Sequence, residues 1–165
     1  MGKGAFLAQL AALTLAVGSA QAGPLEDGLA AYKKGDYSQA MQRWQPLAAN
    51  GDPDAQFWLG ALYDQGRGVP QSHETAARLY LKAAEQGQAN AQFNLGLLYT
   101  DGLGVVQDYV QAHMWINLAA SVVKGDDQKK FAKVRDMVTV KMSAEQIAEA
   151  QRRAREWKPI RQGDW

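Results

Sequence analysis

Cysteine is missing altogether from this 165-residue chain, and histidine occurs only twice. Without cysteine there is no disulfide staple, no thiolate nucleophile and no Cys-bearing zinc cage, so packing alone must hold the domain. The two histidines, His73 and His113, stand in no H-E-x-x-H arrangement, and no metal site is assigned. A G-x-S-x-G elbow and a glycine–lysine phosphate loop are absent too, so no catalytic residue and no cofactor is assigned. The carboxylate pairs Glu26-Asp27 and Asp126-Asp127 sit near expected helix starts, where they complement the helix dipole. An excess of one charge is lacking as well: 18 Lys and Arg face 17 Asp and Glu. A nucleic-acid binder needs a basic patch to neutralise phosphates, and this balance argues against one.

Long apolar runs are equally scarce. The one present, Ala5–Val17, is broken only by Gln9 and Thr14 and spans 13 residues (17 − 5 + 1). That is short of the ~20 residues needed to cross a bilayer. Lys3 precedes it and Ala20-Gln21-Ala22 follows, which completes the three regions of a secretory signal peptide over residues 1–22. The expected mature chain starts at Gly23, is exported to the periplasm or secreted, and has no stable membrane insertion after cleavage. No cysteine stands at the cleavage site to carry a lipid. Removing Lys3 leaves 17 basic and 17 acidic residues.

What the chain does have is a repeat. Ala55-Gln56-Phe57, Leu59-Gly60, Leu62-Tyr63, Gly66, Gly68-Val69, Gln71, Ala76 and Ala83-Ala84 return 36 residues later (91 − 55) as Ala91-Gln92-Phe93, Leu95-Gly96, Leu98-Tyr99, Gly102, Gly104-Val105, Gln107, Ala112 and Ala119-Ala120. A period of that size marks a solenoid, whose units bury their apolar faces against one another. Ala91, Leu95, Leu98 and Tyr99 fall at helical spacing, and so do Tyr109, Ala112, Ile116 and Ala119-Ala120. Gly102 suits a left-handed helix C-cap, and Gly104 lets the loop turn back. The unit is therefore helix, glycine loop, helix. Gly60 and Gly96 sit mid-helix at a cost of about 1 kcal/mol relative to Ala. Close approach of a neighbouring helix would explain why both are glycine.

The pattern A-x-x-x-L-G-x-x-Y-x-x-G-x-G-V, followed by A and then A-A, resembles the Sel1-like repeat over Ala55–Gly87 and Ala91–Gly125. The resemblance implies an all-α fold, an αα-superhelix related to tetratricopeptide arrays, and a role as adaptor or regulatory scaffold. Some secreted members of that family carry a disulfide in each repeat, which this chain cannot form. Val123 stands where the first copy has Gly87, so a longer turn is expected after that helix.

Three repeats are expected, over residues 23–51, 52–87 and 88–125. In the first, Tyr37, Ala40, Trp44, Leu47-Ala48 and Gly51 align with His73, Ala76, Tyr80, Ala83-Ala84 and Gly87, while Lys33–Asp36 makes a tight turn with Asp36 as N-cap. Residues 126–158 are expected to form C-terminal capping helices. Phe131, Val134, Met137 and Val138 lie at helical spacing in one; Ser143 and Gln146 form a capping box opening the other, which carries Ile147, Ala150, Ala154 and Trp157 on one side. The tail, residues 159–165, has no pattern and is expected to be mobile.

Recognition is sought where the copies differ. On the first helix of the second unit Asp54, Trp58, Ala61 and Gln65 share a face; their counterparts are Asn90, Asn94, Leu97 and Asp101. In tetratricopeptide-like arrays this helix lines the concave side, so these eight residues are the candidate groove. Trp58 opposite an Asn suits an interface anchor, or else packs against the first repeat. Arg152, Arg153, Arg155, Lys158 and Arg161 around Trp157 form a basic cluster, read as a solvated helix face because Glu149 and Glu156 interrupt it. The function expected is a non-catalytic periplasmic or secreted scaffold binding a protein or peptide. The alternative is a binder of a cell-envelope ligand, such as a peptidoglycan fragment or other saccharide, that modulates an envelope enzyme.

Overall fold

The computed structural model describes residues 23–161. The proposed signal peptide, residues 1–22, and residues 162–165 lie outside it. The described residues form eight helices and no strand: α1 (Pro24–Lys33), α2 (Tyr37–Ala49), α3 (Pro53–Gln65), α4 (His73–Glu85), α5 (Ala89–Asp101), α6 (Tyr109–Val122), α7 (Gly125–Thr139) and α8 (Ala144–Glu156). Packing follows chain order. Helices α1–α2, α3–α4 and α5–α6 pair within units, α2–α3 and α4–α5 join the units, and α7 and α8 both pack on α6. This is the one-dimensional order of an αα-superhelix.

Local chemistry sets the helix ends. Asp36, Ser72 and Asp108 accept hydrogen bonds from backbone N–H groups in the first turns of α2, α4 and α6, and Asp52 and Gln88 do so for α3 and α5. Helices α3 and α5 end in left-handed glycines, Gly66 and Gly102, with φ of 65° and 69°. Gln71 and Gln107 then pin each glycine loop by donating to the carbonyls of Asp64 and Thr100, both at 2.7 Å.

The mid-helix glycines mark helix contacts. A Cβ on Gly60 would stand 2.8 Å from ring carbons of Tyr80 in α4; one on Gly96 would stand 2.5 Å from Ile116 Cγ1 and 3.0 Å from the Ala112 carbonyl in α6. Gly28 meets the Trp44 indole in the first unit in the same way. Between units, Gly68 packs on Tyr37 at the start of α2, and Gly104 packs on the His73–Glu74 backbone at the start of α4. Each glycine loop thus locks onto the second helix of the unit before it.

A recurring glutamine adds a second lock. Gln56 donates to the Ala48 carbonyl at 3.2 Å and Gln92 to the Ala84 carbonyl at 3.1 Å, so each first helix is tied to the end of the preceding helix. Both glutamines are buried, and a buried amide that lacked such a partner would be costly.

Two expectations about the C-terminal part need correction. The link after α6 is shorter, not longer: only Val123 and Lys124 separate α6 from α7, whereas Gln86–Gln88 separate α4 from α5. Val123 ends α6 in an extended conformation, and the left-handed residue of this link is Gly125, at φ 69°, where α7 begins. The tail is also engaged at its start, because the Ile160 N–H donates to the Glu85 carbonyl at 2.8 Å. Helix α7 takes the place of a next first helix, with Phe131 stacked on Phe93 at 3.9 Å between centroids. Of its apolar residues Phe131 and Val138 are buried, whereas Met137 is exposed. Helix α8 opens with the Ser143–Gln146 capping box, then runs back over α6, burying Ala150 and setting Trp157 edge-on to Trp115 at 6.2 Å.

Candidate interaction surface

The candidate face runs along α3 and α5. Asp54 and Gln65 on α3, and Asn90 and Asp101 on α5, are exposed at the two ends of their helices. Asp54 accepts a hydrogen bond from Gln88 at 3.2 Å, which couples it to the N-cap of α5. Asn94 and Leu97 are half-buried. Ala61 is 3% exposed and belongs to the core, so it leaves the face. Helix α3 packs on α2 at one side and on α4 at the other, and its buried positions run through 55–57 and 59–62. That arc is wider than the stripe of recurring residues.

Trp58 is half-buried in an aromatic cluster contributed by the first repeat. Its ring stacks on Trp44 with centroids 5.6 Å apart and planes 21° apart, with Tyr32 at 5.4 Å and Phe57 at 5.0 Å. One unit later the pair Trp44–Trp58 becomes Tyr80–Asn94, in which the Asn94 amide favours the ionised phenol against burial. The two changes go together: an apolar stack in one unit, a polar contact in the next. Packing alone therefore accounts for the mismatch at Trp58.

Residues that comparison of the copies did not single out complete the surface. Arg67, in the first glycine loop, donates to the Tyr32 hydroxyl at 2.6 Å and lies over the Tyr32 and Tyr37 rings at 5.4 and 5.5 Å. Tyr32 in turn reaches Gln65 at 3.4 Å. Below them, Asp64 holds His73 Nδ1 at 2.8 Å and accepts the Tyr80 hydroxyl at 3.3 Å. Burial, and then the Asp64 carboxylate, push the Tyr80 phenol well above its ordinary pKa. With a neutral phenol and no nucleophile beside the imidazole, this cluster ties the loop to α4 and offers no triad geometry.

His113 is buried, and its Nδ1 has no partner among the described residues. Burial, then the nearby Arg135, lower its pKa, with Asp136 acting in the opposite direction. The basic cluster on α8 is largely paired: Arg152 bridges Glu149 at 2.9 Å and Glu156 at 2.6 Å, and Arg153 meets Glu149 at 2.6 Å. Hydrogen bonds from the two arginines lower the Glu149 carboxyl to about 2. Among the described residues no group of His, Asp and Glu is arranged to hold a metal, and no helix is long and apolar enough to cross a membrane.

A stack of helix–loop–helix units, each packed on the next, defines a helical-repeat protein. The Sel1 repeat family model matches residues 53–88 and 89–121, which are the α3–α4 and α5–α6 units. Among solved structures, the chain resembles c5321, described as a protective antigen present in uropathogenic Escherichia coli strains displaying an SLR fold. The two are 32% identical with a TM-score of 0.74, and the match covers 81% of this chain and 29% of that one. It also resembles a Sel1 repeat protein from Oxalobacter formigenes, at 37% identity and a TM-score of 0.63, covering 81% of this chain and 56% of that one. The chain thus spans less than two thirds of either. No curated protein sequence matches it.

Proposed function

We propose that this protein is a non-catalytic scaffold that holds a protein or peptide partner along the α3–α5 face. The observation that carries the reading is the alignment of Asp54, Gln65, Asn90 and Asp101 on the first helices of consecutive Sel1 repeats, all exposed. Sel1 repeats in general serve protein–protein interaction. The Tyr32–Arg67 pair and the half-buried Trp58 supply the larger contact area that such an interface needs. A saccharide-binding role in the envelope is the weaker reading, because a sugar stacks on a ring face and Trp58 has one face covered by Trp44. The test is affinity capture by the purified chain beside its Asp54→Lys and Asp101→Lys variants. A specific partner should be retained by the parent and lost from the variants, with helicity unchanged. A partner held equally by all three removes this face from the proposal.

Export is part of the same proposal. Residues 1–22 carry the features of a signal peptide, and a mature chain beginning at Gly23 would retain every described helix. Mass spectrometry of the exported fraction should find Gly23 as the N-terminus. An intact Lys3 there, or a chain found only in the cytoplasm, ends that part.

A further inference from the structure

The molecule contains one groove twice, and α8 walls only one copy. Between the second and third units, Leu81, Tyr99, Gln111, Met114 and Trp115 line a groove of about 500 Å³, closed on one side by Arg153, Glu156 and Trp157 from the end of α8. Subtracting the period of 36 gives Gln45, Tyr63, Thr75, Arg78 and Leu79, all of which line an open groove of about 360 Å³ between the first and second units. The correspondence continues past the groove's end. At the junction that α8 walls, Trp157 and Pro159 lie 3.8 and 3.7 Å from where a Gly87 side chain would stand, and the Ile160 N–H donates to the Glu85 carbonyl. The counterparts of Glu85 and Gly87 are Ala49 and Gly51, and both line a neighbouring cavity of about 470 Å³. Lys82 lines both cavities, and the carboxylate Glu85 lines the larger one with it. The Ala49 carbonyl accepts no hydrogen bond from the described residues, so the acceptor that Ile160 uses one unit later stands vacant here.

The two grooves differ in chemistry. Met114 and Leu118 at the junction that α8 walls are Arg78 and Lys82 at the first junction, where no α8 packs. Both cations are exposed, and neither has a carboxylate partner among the described residues; Arg78 only touches Thr75 Oγ1 at 3.3 Å. Leu79 in place of Trp115 leaves more room for an incoming ring. A second copy of α8 is a poor occupant, because Arg155 and Lys158, which have no carboxylate partner among the described residues, would bring like charge to Arg78 and Lys82.

We propose that the junction between the first two units is a docking site for an acidic segment of a partner protein. That segment ends a helix with an aromatic anchor and leaves in extended conformation, giving a backbone N–H to Ala49 and carboxylates to Arg78 and Lys82. The protein's own residues 153–160 are the template for this mode of binding. The inference rests on the scaffold reading but uses the second-helix side of the array rather than the α3–α5 face.

The probe is a synthetic fluorescent peptide copying residues 149–160 with Arg152→Glu, Arg153→Glu, Arg155→Glu and Lys158→Glu, titrated into the full chain and followed by anisotropy. It should bind, and binding should fall by about tenfold or more with Arg78→Glu combined with Lys82→Glu, and when the peptide's Trp157 becomes Ala. The double-variant protein should instead prefer the unmodified basic peptide. Far-UV circular dichroism confirms that it stays folded. Three results overturn the proposal: no binding by the folded parent chain, acidic-peptide binding untouched by the double variant, or tighter binding of the basic copy to the parent. The last would make a second copy of this chain the occupant. None of the three touches the α3–α5 face, whose failure is read separately in the Asp54→Lys and Asp101→Lys capture.

Discussion

Gln86 donates from its side-chain amide to Oε1 of Gln56 at 2.9 Å, and the next unit has no such bond. The equivalent acceptor, Gln92 Oε1, is buried with no partner among the described residues, because the residue 36 positions after Gln86 is Val122. Val122 is 61% exposed, so a longer polar side chain there has room to turn inward. Val122→Gln should supply the missing donor and stabilise the fold by about 1 kcal/mol, the usual net worth of one hydrogen bond. Val122→Glu, which brings no N–H, should give no gain. Equal melting temperatures for Val122→Gln and the parent would show that water already satisfies Gln92.

The mid-helix glycines give a graded prediction. Alanine is the better helix former by about 1 kcal/mol, so any loss of stability in these variants reports the helix contact rather than propensity. Gly96→Ala drives a Cβ against both Ile116 and a backbone carbonyl, which cannot rotate away, whereas Gly60→Ala meets only the Tyr80 ring and, at 3.4 Å, Leu79 Cβ. We expect Gly96→Ala to cost about 1–3 kcal/mol and Gly60→Ala less. Gln42→Ala, on an exposed position of α2, is the control. Chemical denaturation ranks the three, and a neutral Gly96→Ala would refute the close-contact account.

His113 makes stability depend on pH. Its folded-state pKa lies below the ordinary 6.5, so around and below that pH the unfolded chain binds the proton more readily. The contribution of the neutral imidazole is complete above pH 6.5 and is lost as the pH falls through that value toward the folded pKa. His113→Leu should therefore lose less stability than the parent between about pH 7.5 and about pH 5. Denaturation midpoints at the two pH values decide it, and parallel losses in both proteins would assign the acid sensitivity elsewhere.

Much of this architecture was readable in the sequence because the repeat writes each packing position twice. Gly60 and Gly96, the left-handed Gly66 and Gly102, Asp36 as a cap and the Ser143–Gln146 box all appear where their chemistry places them. Gly28 escaped notice because a shorter first turn shifts its spacing to Trp44 from 20 residues, as between Gly60 and Tyr80, to 16. The folding of α8 back onto α6 was equally hidden, since an amphipathic stripe states that a helix will pack but not on what. Ala61 and Trp58 show a subtler limit. A position that differs between copies is free to recognise a partner only if its neighbour inside the molecule has not changed with it, and Trp44 and Tyr80 did change.

That coupling is itself measurable, and it decides what Trp58 is for. Stacked on Trp44 and half-buried, Trp58 should cost about 3 kcal/mol of stability when cut to alanine. In a double-mutant cycle with Trp44→Ala the two losses should fail to add by about 0.5–1.5 kcal/mol, the range for aromatic pairs. Asn94→Ala, which removes only a polar neighbour of the Tyr80 phenol, should cost no more than about 1 kcal/mol. A partner-binding measurement on folded Trp58→Ala completes the design. Lost stability with binding retained would make Trp58 a core residue that seats α3 on the first repeat, leaving recognition to the polar ends of the face. Additive losses in the cycle, together with a partner released by Trp58→Ala at unchanged stability, would reverse that assignment and return the indole to the interface.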